Sequence, residues 1–332
     1  LPAKGRYLVN TLRPGAAPST APYTLTLTTV MPSTIGVGQT VTSPTQGNPY
    51  WAFSGQAGQI VDIAMTTVDS GFDPYLSLYG ARAIKLAENG DSGGTYNALI
   101  PAFILTRTAT YTIEAGGAGS IALYQLSLAA SQPLTLTLDS SIPVTRSGAF
   151  RFSGQDDQLV AMHTDPPADL ALVGPGRLLV EHSPAILTLL DASSPFTAVV
   201  HLPVNAYSVT LRLDTVSGGV AQLAFNQPPA PGQMQATSPD VWSFLDAGAK
   251  GVEIAVKPAA GRLDLELYDP GGALITSADG TNRLLSALPT AGTYLLMVRP
   301  HTAAAAGPYT IEIKPVDVEQ GPQACLLGQL PD

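Results

Sequence analysis

The sequence predicts an all-β fold of tandem antiparallel β-sandwich, jelly-roll-like domains. Three observations lead there: a repeat of roughly 95 residues, strands with strict two-residue alternation, and Gly and Pro spread along the whole chain.

The repeat is plainest between the two ends. Residues 1–30 read LPAKGRYLVNTLRPGAAPSTAPYTLTLTTV and residues 288–316 read LPTAGTYLLMVRPHTAAAAGPYTIEIKPV. Both run Leu-Pro, a Gly turn, Tyr, an apolar strand, Arg-Pro, a small-residue loop, Pro-Tyr and an alternating strand. Weaker copies are ATYTIEAGGAGSIALYQLSL (109–128) and NAYSVTLRLDTVSGGVAQLAF (205–225). The leading tyrosines, Tyr7, Tyr111, Tyr207 and Tyr294, stand 104, 96 and 87 residues apart. A front half recurs three times: YWAFSGQAGQIVDIAM (50–65), AFRFSGQDDQLVAMHT (149–164) and VWSFLDAGAKGVEIAV (241–256). An alternating strand follows each, read as PYLSLYG (74–80), AILTLLD (185–191) and LDLELYD (263–269). The expected units are therefore 1–35 (the back half of one repeat), 36–130, 131–226 (divergent), 227–316, and a tail 317–332.

Alternation fixes the sheet type. Leu25 and Leu27 alternate with Thr24, Thr26 and Thr28, and Ile311 and Ile313 with Thr310 and Glu312. Such a strand buries one face and wets the other, the antiparallel habit. Seven or eight of these per unit, with Ser-Gly, Gly-Gly and Asp-Pro-Gly-Gly turns between, suit a two-sheet sandwich. The 32 glycines and 29 prolines in 332 residues leave little room for helices.

Composition excludes several functions. The net charge is −9, only 12% of residues are charged, and no stretch clusters Lys or Arg, so nucleic acid is not an expected partner. No apolar run is long enough to span a membrane, so no membrane insertion is expected. The single cysteine, Cys325, allows no intrachain disulfide and reads as an inert tail thiol, the alternative being a link to another chain or to the cell wall. A start at Leu1 rather than Met, with no signal peptide, reads as a processed or trimmed chain.

The run FDPYLSLYG, then AENGDSGG, ATYTIEAGG and YQLSL, resembles the bacterial pre-peptidase C-terminal domain. The resemblance is strongest over 50–128, extends to 241–316 and 1–30, and is weak over 131–226. It implies a secreted β-sandwich that flanks the catalytic domain of a peptidase or occurs in tandem in surface proteins. Such domains are similar to the collagen-binding domains of bacterial collagenases, where calcium and ligand are bound. No catalytic domain is expected within these repeats.

No catalytic, cofactor or metal residue is expected. Gly90-Asp91-Ser92-Gly93-Gly94 matches the surroundings of a chymotrypsin-like nucleophile. That enzyme class needs its His upstream of the Ser, whereas His163, His182, His201 and His301 all lie downstream, so the motif reads as a hairpin loop. The histidines lack metal-ligand spacing and read as ordinary surface or strand residues. Gly174-Pro175-Gly176 has a Pro where a phosphate loop needs a donor. Asp69, Asp73, Asn89 and Asp91 supply hard oxygens for Ca²⁺, with thinner equivalents at Asp269 and Asp279; equally, Asp and Asn are good turn residues. Calcium is the one cofactor the sequence leaves open. The repeated tyrosines are expected to pack in the core with their hydroxyls bonded near a sheet corner.

Residues 1–30 cannot close a sandwich alone, and an open strand edge templates pairing. They pack on the next unit, continue a longer upstream segment, or are completed by another subunit, with the tail VDVEQGPQACLLGQLPD (316–332) as a possible donor. The leading expectation is a non-catalytic extracellular or cell-surface structural or adhesive protein. Its partners are other copies of itself, joined head to tail into a filament or sheath, or other surface proteins. The alternative is a ligand-binding accessory region of a secreted hydrolase, which requires an exposed aromatic strip from Tyr50, Trp51, Tyr75 and Tyr79.

Overall fold

The computed structural model describes residues 24, 31–44, 49–67, 72–90, 97–119, 123–174, 177–190, 195–202, 208–216, 220–236, 239–248 and 251–316. Tyr7, Asp69, Asp91, Ser92, Tyr207 and Cys325 lie outside them, as do almost all of the half unit 1–30 and the tail after Val316.

The described chain is built of strands, in three sets of nine with one topology. The first set is β1 (Ser33–Thr34), β2 (Gln39–Pro44), β3 (Tyr50–Gly55), β4 (Ile60–Thr67), β5 (Phe72–Tyr79), β6 (Lys85–Asn89), β7 (Ala98–Ile104), β8 (Ala109–Gly119) and β9 (Leu123–Ala130). It forms a five-stranded sheet, β1-β3-β8-β5-β6, and a four-stranded sheet, β2-β9-β4-β7. Without β1 this is the strand order of an eight-stranded jelly roll.

The second set is β10 (Leu134–Thr135), β11 (Ser140–Val144), β12 (Gly148–Phe152), β13 (Leu159–Asp165), β14 (Asp169–Gly174), β15 (Arg177–Ser183), β16 (Ala185–Leu189), β17 (Phe196–His201) and β18 (Val209–Thr215). The third is β19 (Ala221–Leu223), β20 (Ala230–Met234), β21 (Asp240–Asp246), β22 (Gly251–Pro258), β23 (Leu263–Tyr268), β24 (Leu274–Ala278), β25 (Arg283–Ala287), β26 (Gly292–Pro300) and β27 (Gly307–Val316). Their sheets repeat the first set strand for strand: β10-β12-β17-β14-β15 with β11-β18-β13-β16, and β19-β21-β26-β23-β24 with β20-β27-β22-β25. All three five-stranded sheets carry a register shift at the same place, after Leu78, Leu172 and Leu267.

Alternation fills each core as expected. Val61, Ile63 and Met65 of β4 point inward, and so do Val252, Ile254 and Val256 of β22. Tyr309, Ile311 and Ile313 of β27, the neighbouring strand, line the same inward face, while Thr310 and Glu312 face out. Each fully buried Leu, Ile or Val removes enough apolar surface to contribute about 1.5–3 kcal/mol.

The structure corrects four details of the sequence reading. Among the described residues each sandwich has nine strands, because a two- or three-residue strand opens it and pairs parallel to the third. Two unit boundaries therefore shift: Ser33–Thr34 belongs to the first sandwich, upstream of 36, and Ala221–Leu223 opens the third rather than ending the second. The counterpart of PYLSLYG in the second sandwich is ADLALVG (168–174), not AILTLLD, which forms β16 beside β13. The counterpart of Tyr111 and Tyr294 is Phe196, not Tyr207, since all three rings pair with Phe53, Phe244 and Phe152 at the same register.

The chain divides into two compact units, Leu1–Gln132 and Pro133–Asp332. The second unit holds both the second and the third sandwich. Among the described residues, no helix is long and apolar enough to cross a membrane.

Candidate functional site

The second and third sandwiches meet face to face. The outward side of β13 and β16 presents Leu159, Ala161, Ala185 and Leu187; the outward side of β21, β23 and β26 presents Val241, Tyr268, Leu295 and Met297. These side chains form a fourth apolar cluster, separate from the three cores, with Val216 and Val220 of the connecting segment packed into it. Leu187 is fully buried although it points away from its own core.

Hydrogen bonds pin the joint at one edge. Ile186 forms an antiparallel bridge with Ala273. The Leu187 N–H donates to the Gly272 carbonyl at 3.0 Å, and the Leu274 N–H donates to Ser183 Oγ at 2.9 Å. The β23–β24 turn is held ready for this: Asp269 Oδ1 accepts from the N–H groups of Gly271 and Ala273, each at 2.9 Å. Gly272 has φ +96°, and a Cβ there would stand 2.7 Å from the Leu187 carbonyl oxygen. Asp269, a thin calcium candidate by sequence, is thus a turn residue in this geometry.

A charged border flanks the apolar patch. His163 on β13 lies opposite Arg212 of β18, whose Nε bonds both carboxylate oxygens of Asp214 at 3.0 and 2.7 Å. From the third sandwich, Arg299 lies within electrostatic range of Asp214 and His163 and forms an ion pair with Glu266. Glu266 also accepts the Tyr268 hydroxyl at 2.5 Å. Burial pushes the His163 imidazole below its ordinary value, Asp214 opposing and Arg299 and Arg212 reinforcing.

The other histidines also sit beside aspartates. His182 Nδ1 is 2.7 Å from Asp169 Oδ2, and the His182 and His201 rings lie 6.5 Å apart between centroids. Burial lowers the His201 pKa. His301 Nδ1 is 2.8 Å from Asp264 Oδ1, which also accepts the Gly280 N–H at 2.7 Å. Asp169 and Asp264 hold the same place in their sandwiches as Tyr75 does in the first. Spacing along the chain gave no sign of these pairs, because strand pairing across the sheet brings them together. Among the described residues, no group of three or more His, Cys, Asp or Glu converges in a way that could hold a metal. Of the calcium candidates, Asp73 lies on β5, Asn89 accepts the Leu99 N–H at 3.0 Å, and Asp279 is exposed beyond β24.

The aromatic residues divide between inside and outside. Trp51 turns inward and donates from Nε1 to Tyr124 Oη at 3.0 Å. Trp242 makes the same bond to Tyr309 at 2.7 Å, and Tyr309 donates on to Asp240 at 2.7 Å. Burial, followed by the Asp240 hydrogen bond, holds the Tyr309 phenol well above its ordinary pKa. Tyr50, Tyr75 and Tyr79 instead share the outward face of the first five-stranded sheet. Tyr79 donates to Glu114 at 2.7 Å and Tyr50 to the same carboxylate at 3.3 Å. Lys85 and Tyr75 both bond Glu88 and hold its carboxyl below the ordinary carboxylate pKa. The expected strip therefore has three tyrosines, two carboxylates and one lysine, without Trp51. Tyr111 and Tyr294 occupy sheet corners: each hydroxyl bonds the carbonyl four residues upstream, of Arg107 (2.7 Å) and Thr290.

No protein-family model matches the chain, and no curated protein matches it. Solved structures that it resembles are β-rich. The periplasmic g-type lysozyme inhibitor PliG of Aeromonas hydrophila is 14% identical over 29% of this chain and 96% of its own, with a TM-score of 0.25. The pre-peptidase C-terminal domain of a Bacillus anthracis collagenase is 19% identical over 29% of this chain and 95% of its own, also with a TM-score of 0.25. A triple jelly-roll protein of an archaeal virus turret is 9% identical over 79% of this chain and 80% of its own, with a TM-score of 0.18.

Proposed function

We propose that the chain is a non-catalytic structural or adhesive protein of the bacterial cell exterior, built from sandwiches of the pre-peptidase C-terminal type. The observation that carries this reading is the face-to-face joint between the second and third sandwiches. Two sheets and the connecting segment are committed there to holding one module against the next. A tandem array with such joints acts as a stiff spacer presenting repeated sheet surfaces. Its partners are other copies of itself, joined head to tail, or other surface proteins. The low charge content and Thr- and Ser-rich outward faces suit an extracellular setting.

Sedimentation velocity of the full chain across a hundredfold concentration range, with negative-stain electron microscopy of the concentrated sample, tests the assembly. Concentration-dependent growth into linear particles is expected. A sharp monomer at every concentration, with no fibres, would overturn it.

A second reading is favoured by one observation: three tyrosines share the outward face of β3 and β5. Tyrosine contributes large contact area at low entropic cost, so this face suits binding to an extended polymer. Pull-down with insoluble protein fibres or polysaccharide, comparing the native chain with Tyr75→Ala, separates this reading from the first. Retention that drops at least tenfold in the variant supports it, and equal retention eliminates it.

A further inference from the structure

We propose that the joint between the second and third sandwiches is acid-labile, with a proton on His163 as the trigger that loosens it. The inference rests on reading this joint as the mechanical element of the array. It deepens that reading by naming what regulates the joint.

His163 occupies the outward face of β13, one alternation from Ala161 and opposite Ala185, both of which pack in the joint. The imidazole is therefore at the seam, half-buried, and not on free surface. The charges facing it come from every neighbouring element except β16, which offers only Ala185. Its own strand supplies Asp165; β18 supplies Arg212 and Asp214; the third sandwich supplies Arg299 on β26, with Glu266 and Asp264 of β23 behind it.

Three of the four carboxylates named here are already engaged, the exposed Asp165 being the fourth. Asp214 is held by Arg212 through both oxygens, Glu266 by Arg299, and Asp264 by His301. A protonated His163 would thus add a third cation beside the Arg212 and Arg299 guanidinium groups in a partly desolvated seam, with Asp214 offsetting part of the repulsion. Parting the sandwiches relieves this by hydrating the ring and moving Arg299 away. The preference of His163 for its neutral form agrees with that geometry. The sign follows from linkage. Above pH 6.5 the ring is neutral whether the joint is closed or open; below it, the open state gains a proton that the closed state resists, so acid favours opening. Each pH unit below 6.5 contributes at most about tenfold to the opening equilibrium.

Hydrogen exchange of the full chain at pH 8 and pH 5.5, corrected for intrinsic rates, tests this. The joint reports through segments 185–189 and 294–299, and the core strand 252–256 serves as control. Several-fold loss of protection at pH 5.5 in the joint segments alone is expected, and the His163→Gln chain should keep its protection. Unchanged protection in the native chain at pH 5.5 overturns the proposal, as does equal loss in His163→Gln. His163→Leu repeats the comparison if the Gln variant folds poorly, and the native pH dependence stands without either. Absence of protection already at pH 8 would instead sink the reading of the joint itself.

Discussion

Single side chains define the repeat more sharply than composition does. The corner tyrosines hold a loop carbonyl from inside the core, so Tyr111→Phe and Tyr294→Phe should each cost about 0.5–1.5 kcal/mol in urea unfolding, with an unchanged slope. Phe196 occupies this place in the second sandwich and stacks on Phe152 at 5.6 Å, as Tyr111 stacks on Phe53 and Tyr294 on Phe244 at 5.4 Å. The ring's packing is kept and its hydroxyl is not, so the tyrosine pattern in the sequence points to Tyr207 while the pairing register puts Phe196 there. Likewise Trp51–Tyr124 and Trp242–Tyr309 become Phe150 and Val209 in the divergent repeat. Tyr309→Phe should cost about 1–3 kcal/mol, more than the corner variants, because it strips a buried indole N–H of its acceptor and Asp240 of its donor.

Whole strands and turns show what the sequence made legible and what it hid. The FSGQ copies 53–56 and 152–155 were legible because the turn needs those residues. In both, a Cβ on the glycine, Gly55 or Gly154, would collide with a buried leucine, Leu105 or Leu190, within 2.2 Å. In both, a glutamine side chain, Gln59 or Gln158, caps the turn amide at Gln56 or Gln155. Sequence does not tell β14 from β16, because alternating apolar residues look alike in any half-buried strand, and only the pairing register separates them. The joint left a signal that alternation alone passed over. Tyr294–Val298 is a continuous apolar run, the mark of a strand buried on both faces. Two predictions belong at this scale. Gly272→Ala combines a left-handed backbone with a backbone clash and should destabilise the second unit by about 1–3 kcal/mol. Leu187→Asp places a carboxylate in the apolar joint, and calorimetry should then resolve two transitions in that unit where a single one is expected of the native chain.

At the scale of the molecule, acid response and autonomy follow. Burial pushes the imidazoles of both His163 and His201 below their ordinary value. Above pH 6.5 they are indifferent to folding; as pH falls below it, the unfolded chain takes up protons that the folded chain refuses, and stability declines. Urea midpoints measured from pH 8 to 5 should therefore decrease below 6.5, and the decrease should be shallower in His163→Gln/His201→Gln. The second unit has complete cores of its own, so residues 133–316 should fold alone, with cooperative unfolding and the full chain's exchange protection across β22. The segment between β18 and β19 gives this unit a further property. Val216 and Val220, on either side of Ser217-Gly218-Gly219, are wedged into the seam, so the covalent link and the apolar seal are two fastenings laid one over the other. A protease that severed the peptide at Gly218 would leave both halves clasped. The nick would appear on a denaturing gel while the native particle kept its mass.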